Sequence, residues 1–199
     1  PSELNDTTAH KIGISIAQFF KEEDPDVKTI AVGRDMRTSS KSLANALIEG
    51  LCTAGLNVVN LGVVSTEMTY FAVGHYQYDG GVMVTASHNP AEYNGFKLCR
   101  KQAAPVSFET GIDRIAKLTS QYHPPRGEQL GKVIMSDIFG EYKKQVLKFA
   151  SNLRHLRIVV DAGNGMAGKT IPVVCEGLPL EIIPLYFELD GTFPNHEAN

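Results

Sequence analysis

The chain has 199 residues, and its 19 Lys and Arg against 22 Asp and Glu leave a net charge of −3. The basic residues are scattered rather than striped, which argues against a nucleic-acid footprint, and no apolar run approaches the ~20 residues of a membrane span. The three cysteines, Cys52, Cys99 and Cys175, are far apart and form no C-x-x-C pair, so they read as reduced core thiols rather than metal ligands or disulfides. With no signal peptide in view, these features point to a cytoplasmic enzyme or binding domain.

Asp6 is placed to cap a helix running to about Phe20, with Ile12, Ile16, Phe19 and Phe20 at helical spacing. Pro25 separates it from a short strand at Thr29–Val32. GRDMRTSS follows at 33–40, and Ser39 or Ser40 is expected to cap a helix carrying Leu43, Ala44, Leu47, Ile48 and Leu51, ended by Gly55. Leu56–Leu61 reads as a second strand, Thr66–Tyr76 as a third helix and Gly80–Thr85 as a third strand. Phe96–Cys99 can add a further strand, with an antiparallel return open to it. Helices are expected near 107–119 and 138–150, with turn-rich HPPRG at 123–127 between them.

Strands that alternate with helices and are almost wholly apolar predict an α/β domain. Its layered mixed sheet carries helices on both faces. A second, similar α/β unit begins near Leu153 with a strand at Leu156–Asp161, a short helix, and another strand at Leu180–Leu185. Only about 45 residues remain after Leu153, too few for an independent core. The expected division is therefore a first domain at 1–152 and the opening of a second at 153–199, completed by more of the parent chain or by a partner.

Two motifs carry chemistry. Residues 163–170, GNGMAGKT, match the P-loop pattern G-x-x-x-x-G-K-[ST] after a strand. Such glycines let a backbone approach phosphate, and Lys169 could reach it. Against this, only 29 residues follow Thr170, Pro172 shortens or delays the helix, and Asp190 is a poor magnesium ligand. No acidic residue closes a second strand as a dinucleotide site requires. A tight strand–helix turn at a domain start explains the segment as well, and a phosphate- or nucleotide-binding module is the alternative function.

The second motif is VMVTASHNPAEYNGFKL at 82–98. Ser87 lies just beyond a buried strand, where open α/β sheets collect ligands. Acyl transfer would need a base and an orienting acid. His88 is adjacent in sequence, where side chains usually diverge, and no G-x-S-x-G surrounds Ser87. Phosphoryl transfer asks only for positioning and charge stabilisation, and Lys97 lies across the Asn94–Gly95 turn. The plain alternatives are a turn hydroxyl for Ser87 and a solvent-facing edge lysine for Lys97.

TASHNP at 85–90 with YNGFK at 93–97 resembles the active-serine signature of the α-D-phosphohexomutases, and in particular the phosphomannomutase/phosphoglucomutase group. GRDMR at 33–37, VVDAGNGMAG at 159–168 and DGTFPNHEAN at 190–199 resemble other stretches of that family, in family order. The resemblance implies that Ser87 is a phosphoserine, exchanging its phosphoryl group with a hexose phosphate through a hexose 1,6-bisphosphate. It also implies Mg²⁺ bound between that phosphoserine and the aspartates of a D-x-D-x-D-R loop. By the same resemblance Lys97 moves a proton or stabilises charge at the transferring oxygen, and His88 lines the site. Asn89 shapes the loop, and Arg34 organises it or attracts the anion. The D-x-D-x-D-R loop, an early arginine–glycine pair, and the sugar-reading and phosphate-clamping domains have no counterpart among these residues. The partners implied are the hexose phosphate and the remaining domains of the parent chain.

Overall fold

The computed structural model describes residues 4–124 and 129–198, so part of the HPPRG turn lies outside the described residues. The first helix, α1 (Asp6–Glu23), is capped by Asn5, whose side chain accepts from the Thr8 amide at 3.0 Å. Asp6, expected as the cap, is instead the first helical residue, where its negative charge suits the helix dipole. The helix also continues past Phe20 to Glu23.

The strands β1 (Thr29–Arg34), β2 (Asn57–Val63), β3 (Gly80–Val84), β4 (Phe96–Arg100) and β5 (Val133–Met135) form one sheet in the order β4-β3-β1-β2-β5. All pairings are parallel except that of β4 with β3. Alternation along β1 sends Ile30 and Val32 to one face and Ala31 to the other. The first face packs on α1, α2 (Ser40–Thr53) and α4 (Asp113–Ser120). The second packs on α3 (Thr66–Tyr76) and α5 (Phe139–Leu147). Helices on both faces make nearly every central-strand residue apolar, as the sequence predicted. Among the described residues no helix is long and apolar enough to cross a membrane.

Three local expectations change. Strand β5 escapes sequence reading because its three residues are all exposed and show no alternation. Pairing with Val58, Val59 and Asn60 of β2 alone makes it a strand. Gly131 permits that approach, since a Cβ there would lie 1.8 Å from the Leu56 carbonyl oxygen. The helix expected near 107–119 divides into a wide turn at Phe108–Ile112 and α4, because buried Gly111 packs against the Phe19 ring. Neither Ser39 nor Ser40 caps α2 through an amide; Asn94 donates to both hydroxyls at 2.9 Å instead.

Beyond α5, β6 (Leu156–Asp161) and β7 (Leu180–Leu185) pair in parallel as a separate two-stranded sheet, connected by α6 (Ala167–Cys175). The helix runs through Pro172 instead of stopping at it. The three cysteines are unpaired, and burial pushes the Cys99 thiol up to about 11.

Candidate active site

Carboxyl ends of parallel strands converge on one cleft of about 380 Å³. The loop after β1 supplies Asp35 and Arg37, that after β2 supplies Ser65, and that after β3 supplies Thr85, Ser87 and His88. The loop after β6 supplies Asp161 and Gly163, and the final segment adds Phe193 and His196. The cleft therefore lies between the large sheet and the two-stranded one.

Ser87 is exposed and holds a left-handed backbone, φ 57°. An L-residue with a side chain adopts this region only where its surroundings impose it. Here the Ser87 amide donates to Thr85 Oγ1 at 3.0 Å, and its carbonyl accepts from Arg37 Nη2 at 2.9 Å. The turn also brings together two neighbours that were expected to diverge: Ser87 Oγ lies 3.3 Å from His88 Nδ1. Among the described residues no carboxylate hydrogen-bonds to that ring, so the orienting acid of a hydrolase triad is missing. The Asn89 side chain donates to the Ala86 carbonyl at 2.9 Å, closing the same turn.

Lys97 stands on β4 opposite Met83, and directly opposed residues of an antiparallel pair project from the same face. Met83 lines the cleft; Lys97 is exposed on the same face of the sheet but is not one of the cleft-lining residues. The structure does not bring Arg34 to the cleft. It is the last residue of β1 and donates to the Asp35 carbonyl, and half-burial pulls its pKa down against the opposing pull of Asp35.

The arginine that organises the serine loop is Arg37. Its side chain is fully buried, 3.3 Å from Asp35 Oδ2, and donates to the carbonyls of Ser87, Asn89, Pro90 and Tyr93 at 2.7–3.2 Å. In GRDMR the resemblance points to the first arginine, Arg34, rather than to Arg37. The available signal was position: Arg34 closes the strand, whereas Arg37 follows it in the loop. Reasoning also missed Asp161 and His196, which face each other across the cleft floor at 3.1 Å. The Glu197 carbonyl and then Asp161 raise the His196 pKa, while His196 and the Gly163 amide hold the Asp161 carboxyl low.

The P-loop-like segment has other work. Lys169 donates to the Val63 carbonyl at 2.9 Å and lies over the Phe139 ring, 4.6 Å from its centroid. Its pKa is lowered, chiefly by burial, and nearby Arg34 acts in the same direction. Asn164 is buried and accepts from Asn195 through Oδ1 while donating to the Glu188 carbonyl. These groups fasten the second unit together and to the first. Neither is presented to a nucleotide.

The family model described as phosphoglucomutase/phosphomannomutase, alpha/beta/alpha domain I matches residues 1–124, and that for domain II matches residues 139–199. The chain belongs to the phosphoglucomutase/phosphomannomutase family. It is 39% identical to a phosphomannomutase of Vibrio cholerae over all of this chain and 44% of that protein. It is 38% identical to a protein of Xanthomonas campestris named for phosphohexose mutases, with the same coverage. A phosphoglucomutase/phosphomannomutase family protein from Burkholderia thailandensis superposes with a TM-score of 0.86 at 32% identity, over 98% of this chain and 43% of that one. A putative phosphomannomutase from Thermus thermophilus superposes at 0.81 with 25% identity, over 98% and 45%. The chain thus spans less than half the length of the family members it matches.

Proposed function

We propose that the parent protein is a phosphohexomutase, interconverting hexose 1-phosphate and hexose 6-phosphate through a phosphoserine at Ser87 and a hexose 1,6-bisphosphate intermediate. The observation that carries this reading is Ser87 itself: an exposed hydroxyl on a turn clamped on both sides, at the mouth of a cleft between two units. Family membership supports it, and the names of the relatives supply the substrate class.

In the forward transfer the Ser87 Oγ–P bond breaks while a bond forms from phosphorus to a sugar hydroxyl oxygen. That hydroxyl loses its proton, and Ser87 regains one as its oxygen leaves. His88 Nδ1, 3.3 Å from Ser87 Oγ, is the group of this chain positioned to hold a proton at that atom. Lys97 supplies positive charge on the same face of the sheet. Asn89 and Arg37 hold the loop. Arg34 takes no part in the transfer on this reading.

Mg²⁺ and the bisphosphate belong to the proposal. Among the described residues no group of three or more carboxylate, His or Cys ligands could hold a metal ion. Asp35, the most buried carboxylate of the cleft, already accepts from the Arg37 amide and the Ser40 hydroxyl. These residues do not form a metal site by themselves; in this chain the phosphoryl group on Ser87 would be the metal's contact, and the remaining oxygen ligands would come from the rest of the second domain. We also propose a first domain at 1–152 and the start of a second at 153–199, supported by the separation of the two sheets. The cytoplasmic location is supported by the unpaired cysteines.

Peptide mapping of the full-length protein after incubation with a hexose 1,6-bisphosphate tests the reading. Phosphate is expected on Ser87, and S87A is expected to lose nearly all turnover. Phosphate on Thr85 or Thr170 with Ser87 unmodified would overturn it.

A further inference from the structure

Arg37 is enclosed by two different parts of the molecule. Its terminal nitrogens donate to four carbonyls, all in the serine loop. Its open face is covered by Phe193, whose ring centroid lies 5.0 Å from Cζ and which belongs to the second unit. Gly191 seats that segment on the arginine's own backbone: a Cβ there would come within 2.6 Å of Arg37 Cα and 2.7 Å of the Thr38 nitrogen. Asn164 anchors the same segment from behind, its carbonyl accepting from the Asp190 amide at 3.0 Å.

A guanidinium fork bonded to carbonyls is weakened wherever water can compete for either partner. Phe193 lies over this fork, and the Arg37 side chain is fully buried although both residues line the cleft. The serine loop has turn bonds of its own, but among the described residues the Ser87 carbonyl accepts from Arg37 alone. A side chain of the second unit thus bears, through one arginine, on the backbone that aims the Ser87 hydroxyl.

We infer that Arg37 is a positioning residue for phosphoryl transfer at Ser87, and that Phe193 acts on Ser87 through it: docking of the second unit keeps water off the guanidinium and fixes the serine turn. The inference rests on Ser87 being the phosphoryl carrier. Its chemistry is that of preorganisation, in which small displacements of a reacting group cost large factors in rate. A lysine at 37 keeps the charge but cannot fork to four acceptors.

The test uses the full-length protein as wild type, R37K, F193A, the double variant and S87A. Phosphoserine occupancy is measured by intact mass after treatment with a hexose 1,6-bisphosphate, and kcat is expressed per phosphorylated enzyme. Amide hydrogen exchange is followed across residues 86–95. R37K is expected to lower kcat about 10²-fold, the scale of a misplaced reacting group. F193A, which leaves every Arg37 donor in place, should lower it about tenfold, within the range of a partly desolvated cation–π contact. KM should stay within about threefold, because substrate binding is not what these residues supply. Exchange should quicken at 86–95, and F193A should add little on top of R37K. If R37K does not fold, F193A decides alone. Unchanged kcat per phosphoserine and unchanged exchange in F193A overturn the inference, as does full additivity of the two substitutions. Failure of the underlying reading looks different: wild-type protein that is not phosphorylated on Ser87, or S87A that turns over normally.

Discussion

Lys97 illustrates how much a single residue owes to its register. Its place opposite Met83 puts it on the α3 face of the sheet rather than on the α1 face. An ammonium there can stabilise charge on a transferring oxygen or move a proton, and a methyl group can do neither. In the full-length protein K97A is expected to lower kcat by about 10²-fold with KM little changed, the usual weight of a general acid–base group. Steady-state kinetics check this; a raised KM at unchanged kcat would instead mark a uniform binding residue. His196 gives a pH-dependent prediction. Its folded pKa is raised above the ordinary 6.5, so its pairing stabilises the fold fully below that value and fades as pH rises through the folded pKa. Asp161 is depressed below 3.8, so its share is present above that value and fades as pH falls through its lower folded pKa. Between about 3.8 and 6.5 both contributions are present. An NMR titration of the His196 ring should show a raised pKa that falls in D161N. An unchanged value would show that the Glu197 carbonyl alone sets it.

At the scale of elements, α1 and α2 meet through glycines. A Cβ on Gly13 would lie 2.4 Å from the Leu47 carbonyl oxygen, and one on Gly50 would lie 2.2 Å from that of His10. The helices are therefore in backbone contact, and neither opposing atom is the end of a flexible side chain. G50A is expected to cost about 1–3 kcal/mol through overpacking, despite alanine's better helix propensity. Chemical denaturation measures it; a stabilised variant would show that the helices separate freely. The same contact explains why sequence pattern alone reads these helices well but not their approach. Apolar spacing reports which side of a helix is buried, whereas a close crossing is set by what is absent from two glycines. Strand β5 and the Phe108–Ile112 turn escape for related reasons: each is defined by a neighbour, Leu56 through Asn60 in one case and Phe19 in the other.

At the scale of the molecule, several contacts join the two units, Lys143 pairing with Glu176 among them. Phe193 meets Arg37 near the serine, and Lys169 reaches Val63 and Phe139 further away. With Lys169 committed to this junction, the GNGMAGKT segment lacks its phosphate-seeking cation. Calorimetric titration with ATP–Mg²⁺ is expected to show no micromolar affinity, and K169A should not change that result. Micromolar binding abolished by K169A would restore the nucleotide-binding reading. The layered class of the sheet, by contrast, was within reach of the sequence, because short apolar strands separated by helices leave few alternatives to a sheet covered on both faces.

What the sequence by itself determined was the succession of elements, the buried strands and the serine motif at a strand end. Each depends on local residue chemistry and on periodicities of a few residues. The tertiary structure alone decided which polar residues act together. Arg37 and Arg34 are three positions apart and look equivalent along the chain, yet one is enclosed by the serine loop and the other closes β1. Asp161 and His196 are 35 residues apart and meet only because β6 and the final segment open onto one cleft. A buried guanidinium needs acceptors from a distant loop and cover from another unit, and no local pattern records where those partners will come from.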